Sequence, residues 1–166
     1  RPRIDDEAIA EHSEGLIGFS GCMSGKIPTL LQQDRTGEAA DLASNYLDIF
    51  GPDRFYLELQ DHGSPPAQKV QNERLLELAS RTGLPLVATN DVHYCGRDEA
   101  HAQDVLICIG TNKRRSDADR LKHTHSELFF KGPDEMESLF ADLPQALVST
   151  RKIAEQCTLK IPMPGP

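Results

Sequence analysis

No uninterrupted apolar run among the 166 residues approaches the ~20 that a membrane-spanning helix needs. The opening, Arg1-Pro2-Arg3-Ile4-Asp5-Asp6, carries no secretory signal pattern, so a cytoplasmic location with no membrane contact is expected. Cationic excess is lacking too: 18 Lys+Arg stand against 26 Asp+Glu, a formal charge of −8. That balance argues against a domain that grips nucleic acid by bulk charge, yet leaves room for a site that holds phosphate through metal ions. Cysteine is sparse. Cys22, Cys95, Cys108 and Cys157 form no Cys-x-x-Cys knuckle and no disulfide framework, which fits free thiols in a reducing compartment.

What the chain does have is a recurring strand–helix pattern. Leu16-Ile17-Gly18-Phe19 reads as a short strand leaving into Ser20-Gly21-Cys22. Residues 36–50 place Ala39, Leu42, Ala43, Tyr46, Leu47 and Phe50 on one helical face, and Gly51-Pro52 stops that helix. Phe55-Tyr56-Leu57-Glu58-Leu59-Gln60 alternates with period two and reads as a strand, followed by loop chemistry through residues 61–66. A second helix over 68–81 would turn Val70, Leu75, Leu76, Leu78 and Ala79 inward. Pro85-Leu86-Val87-Ala88-Thr89 is an unbroken apolar run, the pattern of a parallel strand covered on both faces.

A third helix is expected over about 97–109, a last short strand at Leu128-Phe129-Phe130, and helices from Pro133 and over 144–156. Residues 161–166 are proline-rich and read as a linker. Such repeats make right-handed βα units in an open α/β sheet or a barrel, and three units are too few to close a barrel alone. Residues 111–125 break the pattern. With Lys113, Arg114, Arg115, Arg120 and Lys122 against Asp117 and Asp119, they read as a mobile basic loop, solvated or, less simply, tracking phosphate.

In parallel α/β folds ligands collect at the carboxyl ends of the strands. The residues there are Cys22, then Gln60 with His62, then Asp91 with His93, so metal-competent groups recur at successive exits. If extended geometry persists through Asp91-Val92-His93, carboxylate and imidazole point the same way and share a site. The competing reading has Asp91 capping the turn while His93 packs beside Tyr94. Cys22 as a nucleophile with His93 as base is a weaker alternative, because Gly21-Cys22-Met23-Ser24-Gly25 does not centre the thiol between glycines. Glu58 reads as solvent-facing or ion-paired, and His12, His101, His123 and His125 sit on polar stretches without a role.

Three blocks then carry a resemblance: residues 14–22, residues 55–63 with Leu57-Glu58-Leu59-Gln60-Asp61-His62-Gly63, and residues 83–94 with Asn90-Asp91-Val92-His93-Tyr94. With residues 102–109 and Glu135-Met136, they resemble the bacterial DNA polymerase III alpha subunit, in the later part of its PHP (polymerase and histidinol phosphatase) domain. The resemblance implies a partial (βα)7 PHP-type barrel over residues 1–130 and a helical extension with a proline-rich linker over 131–166, leading toward an absent polymerase core. It implies a cluster of divalent metals (Zn, Mn or Mg) with Cys22, Asp91 and His93 among the ligands, the remaining ligands lying on strands before Arg1. It further implies metal-dependent phosphoesterase or 3′–5′ exonuclease chemistry, a polymerase that uses Mg, and DNA, a proofreading exonuclease subunit and a sliding clamp as partners. The chain taken alone is then expected to bind metal poorly and to lack activity. The alternative is a structural platform that braces the polymerase and docks the proofreading subunit, its metal site vestigial.

Overall fold

A computed structural model describes residues 4–62, 66–123 and 125–163. Gly63, Ser64 and Pro65 of the loop after the second strand, Thr124 of the basic loop, and both chain ends, including residues 164–166 of the proline-rich close, lie outside the described residues.

Three parallel strands form one sheet in the order β1 (Gly18–Phe19), β2 (Phe55–Gln60), β3 (Leu86–Thr89). The register pairs Phe19 with Tyr56 and Leu57 with Leu86. Parallel neighbours require crossovers, supplied here by α3 (Thr36–Phe50) between β1 and β2 and α4 (Pro66–Thr82) between β2 and β3. Two short helices that sequence periodicity did not announce come earlier: α1 (Asp6–Glu11), capped by Asp5 accepting from the Ala8 amide, and α2 (Lys26–Gln32). After β3, a single 3-10 turn at Arg97–Glu99 leads into α5 (Ala100–Thr111), then α6 (Pro133–Leu139) and α7 (Pro144–Gln156).

Alternation along β2 puts Phe55, Leu57 and Leu59 on one face, where they meet Ile27 and Leu31 of α2, Ala43 and Phe50 of α3, and Leu75 and Leu78 of α4 in one buried cluster. Gly18 sits where any side chain would strike the Phe50 ring, at 2.8 Å. Phe140 and Ala146 belong to the same cluster, and Thr150 of α7 donates to the Ala88 carbonyl (3.1 Å), so the last helix lies along β3.

Several expectations change. β2 is the strand expected over 55–60, but it is central and its polar positions do not face solvent: only Glu58 of its six residues escapes full burial. On α4 the inward positions are Gln68, Gln71, Leu75 and Leu78, while Val70 is 46% exposed. The Leu128-Phe129-Phe130 strand reduces to one parallel bridge, Tyr94 with Phe129. The described strands make an open sheet.

Candidate functional site

Because the strands run parallel, all three exits emerge on one edge of the sheet, neighbours being about 4.8 Å apart. Cys22 follows β1, His62 follows β2, and Asp91 with His93 follows β3.

The β1 exit is a tight turn. Gly21 adopts φ +81°, the left-handed region that favours glycine, and the Gly25 amide closes the turn on the Cys22 carbonyl (2.8 Å). Cys22 is a half-buried free thiol beside Glu58, Gln60, Gln68 and Gln71. Glu58 is half-buried and makes no ion pair among the described residues. Its carboxylate accepts from Thr89 Oγ1 (2.5 Å) and Gln60 Nε2 (3.1 Å), and its amide donates to Ser20 Oγ (2.9 Å), which ties the three strand ends together.

At the β3 exit a buried polar brace takes over. Asn90 Nδ2 donates to the carbonyls of Glu127 (3.0 Å) and Phe129 (2.7 Å), and Asn90 Oδ1 accepts from Lys131 Nζ (3.0 Å). Asn90 is 6% exposed and the Lys131 side chain 4%, so these bonds form away from water. Lys131 and Arg97 sandwich the Phe129 ring at 4.5 and 4.6 Å. Burial holds the Lys131 ammonium below its ordinary range.

Asp91 then takes φ +48°, so the extended geometry does not persist and residues 91 and 93 are not aligned as strand neighbours. They meet by a turn instead. His93 Nδ1 lies 2.6 Å from the Asp91 carbonyl oxygen, and its amide donates to Leu128 O (2.8 Å). A carbonyl can only accept, so Nδ1 donates in this contact and Nε2 is the ring nitrogen left for another partner. Histidine ligands are commonly oriented in this way, by a carbonyl behind the ring. His93 makes no hydrogen bond to Cys22, which leaves the nucleophile–base alternative without geometry.

Two histidines that polar sequence context had set aside arrive here from the basic loop. His123 meets the His93 ring edge-on (4.9 Å between centroids) and His125 stacks on His62 (5.2 Å). Their spacing, His123-x-His125, was the available signal. The partners that give it meaning are distant in sequence. Burial, then the neighbouring imidazole of His125, lowers the His62 pKa, and burial and then His93 lower that of His123.

A pH dependence follows for His62. The folded chain keeps this imidazole neutral, whereas the unfolded chain takes up a proton near pH 6.5. Unfolding therefore binds a proton below that pH, and stability falls on acidification by up to about 1.4 kcal/mol per pH unit. Urea midpoints compared between pH 7.5 and 5.5 are expected to drop less in His62→Gln than in the parent. Equal drops would show that His62 does not titrate as placed.

Among the described residues no three His, Cys, Asp or Glu side chains converge as a ready metal-binding group. Cys22, Asp91 and His93 suit a divalent transition metal in donor type, and His93 in orientation, but the described set is incomplete.

Residues 1–62 match the family described as PHP domain. The chain is 47% identical over 166 residues to DNA polymerase III subunit alpha of Treponema pallidum, which takes in 100% of the chain and 14% of that protein. It is 46% identical over 167 residues to the subunit of the same name from Borreliella burgdorferi, with 100% and 14% covered. Against that of Helicobacter pylori strain 26695 it is 38% identical over 170 residues, 96% and 14% being covered. The chain thus spans about one seventh of the length of these relatives.

Proposed function

Because the chain is homologous along its whole length to DNA polymerase III subunit alpha and matches the PHP domain over residues 1–62, we propose that it supplies Cys22, Asp91 and His93 to a divalent-metal phosphoesterase site acting with 3′–5′ polarity on nucleic acid, within a replicative DNA polymerase. The observation that supports this most is the His93 ring: its Nδ1 is spent on the Asp91 carbonyl, which leaves Nε2 as the ring nitrogen for a metal. In this reading the three-stranded sheet continues into a (βα)7 barrel with strands outside this chain. Bound divalent cations (Zn, Mn or Mg) would supply Lewis-acid polarisation of a phosphoryl oxygen.

The chain's own contribution is to bind and to orient. Asp91 would offer ligand charge and Cys22 its sulfur from the opposite side of the β2 exit, and the Asn90–Lys131 brace holds the β3 exit that carries Asp91. The longer protein would take DNA, a proofreading exonuclease and a sliding clamp as partners and use Mg for polymerisation.

The test is Asp91→Asn in the full-length protein. Bound metal and 3′–5′ hydrolysis of a labelled oligonucleotide are expected to fall together by about tenfold, a loss near 1.4 kcal/mol of ligand interaction. Unchanged metal content and hydrolysis would refute the assignment. The incomplete donor set among the described residues favours a second reading, a structural platform for the polymerase with a vestigial site. A full-length protein with no bound metal and no hydrolysis, before any substitution, would select it.

A further inference from the structure

The basic loop remains without a role in that reading, and its surroundings are built. Between α5 and the loop lies a cavity of about 480 Å³, large enough for a phosphate with an attached sugar. Arg115, Arg120, Lys122 and His101 line it. Asp104 of α5 holds the wall together: both terminal nitrogens of Arg120 and Nε of Arg115 bond its carboxylate at 2.5–3.1 Å. Arg120 is thereby consumed, its Nε also donating to the Arg115 carbonyl. The remaining nitrogens of Arg115 are not, and Lys122, exposed, makes no ion pair among the described residues.

Two further features point to an anion. The cavity lining itself sets Arg115, Arg120 and Lys122 against Asp104, a local positive excess inside a chain of net charge −8. Tyr94 lines the same cavity, and its hydroxyl, shielded from solvent, lacks a hydrogen-bond partner among the described residues. Such a donor is costly to leave unmet. Guanidinium, ammonium and phenol donors around one space suit a phosphate's several oxygens better than a single carboxylate. The cavity opens beside His123, which touches His93.

We propose that this cavity is a phosphate-binding subsite, taking a phosphate ester held by Lys122, the free edge of Arg115 and the Tyr94 hydroxyl. Its place next to the hydrolytic centre rests on the metal reading above, whereas phosphate capture does not. The closing experiment is therefore run on the full-length protein with metals chelated, so that failure of either idea is seen separately.

The probes are inorganic phosphate, deoxyadenosine monophosphate, a short single-stranded oligodeoxynucleotide and a polyglutamate peptide of equal charge. Binding of the phosphate probes is expected to weaken about 3- to 5-fold in Lys122→Ala, the scale of one exposed ion pair. For the strand, the salt dependence should flatten by about 0.7 in log–log slope, one phosphate contact's worth. Lys160→Ala, remote from the cavity in sequence, should leave both unchanged, and Tyr94→Phe should weaken binding without altering the slope. Tight mononucleotide binding identifies a free nucleotide as the source. Binding of the strand alone identifies nucleic acid. Equal losses in Lys122→Ala and Lys160→Ala, polyglutamate binding as well as the strand, or no binding by any phosphate probe would overturn the proposal.

Discussion

Replacing Asn90 with alanine is expected to cost about 3 kcal/mol of stability and to loosen the β3 exit. The amide satisfies two carbonyls, Glu127 and Phe129, and one ammonium, Lys131, all in a region screened from water. Each buried polar group left unmet costs roughly 1–3 kcal/mol: the Phe129 carbonyl loses its donor, while Lys131 Nζ loses one acceptor and keeps the Glu127 carbonyl (2.5 Å) and carboxylate (3.6 Å). A water entering the vacated volume would recover part of this, which keeps the figure toward the lower end of the sum for two groups, about 2–6 kcal/mol. Urea denaturation would report the loss as a lower midpoint with an unchanged slope. A change under about 0.5 kcal/mol would mean that the brace is not carrying the turn. In the full-length protein the same substitution should weaken metal binding, because the Asp91 turn and the Leu128 contact of His93 both depend on the segment that Asn90 grips.

The second large effect is expected at the other half of the site. Gly25 starts α2, and a Cβ there would fall well inside contact distance of the Ser20 carbonyl and 3.1 Å from that of Cys22. These are backbone atoms of the turn itself, so no side chain can swing aside. Overpacking of this kind typically costs about 1–3 kcal/mol, and Gly25→Ala should reach the upper part of that range. The turn must open, which moves Cys22 away from the β2 exit. Thiol labelling kinetics at Cys22 are expected to accelerate in the variant. Wild-type stability with wild-type labelling would show that the turn tolerates a side chain, contrary to its geometry.

Much of this architecture is written locally. The helix over 36–50 and the strand over 55–60 are recognised at the bounds the structure gives, because an apolar face at helical period ends at Gly51-Pro52 and an aromatic run follows. The helix over 144–156 likewise begins at its proline. What escaped notice depends on partners far along the chain. α2 is seven residues with Pro28 inside its first turn, where proline is tolerated but advertises a loop. Gln68 and Gln71 occupy the inward face of α4 although their polarity argues for water, and Gln71 has neither amide atom paired among the described residues.

Glu58 and Gln60 sit on a central strand although their polarity argues for water, because alternation reports polarity, not solvent. Their polar atoms are met by Ser20 and Thr89 across the strands. At the site, Cys22, Asp91 and His93 were legible as residues at strand exits. The left-handed turn at Asp91 was not, and neither was the arrival of His123 and His125, which only tertiary structure brings to His93 and His62.

The spacing along the chain of the contacts that hold the two halves also orders them in time. The Gly25–Cys22 turn closes over three residues, whereas Asn90 and Lys131 stand 41 residues apart. Contacts of high sequence separation pay their loop-closure entropy before they reward it. The β1 exit should therefore be set early in folding and the β3 exit late, after the sheet has formed. In a chevron measurement Asn90→Ala is then expected to speed unfolding while leaving the refolding arm nearly unchanged. A newly made chain would pass through a stage in which Cys22 is already in place and the pocket of imidazoles has yet to assemble.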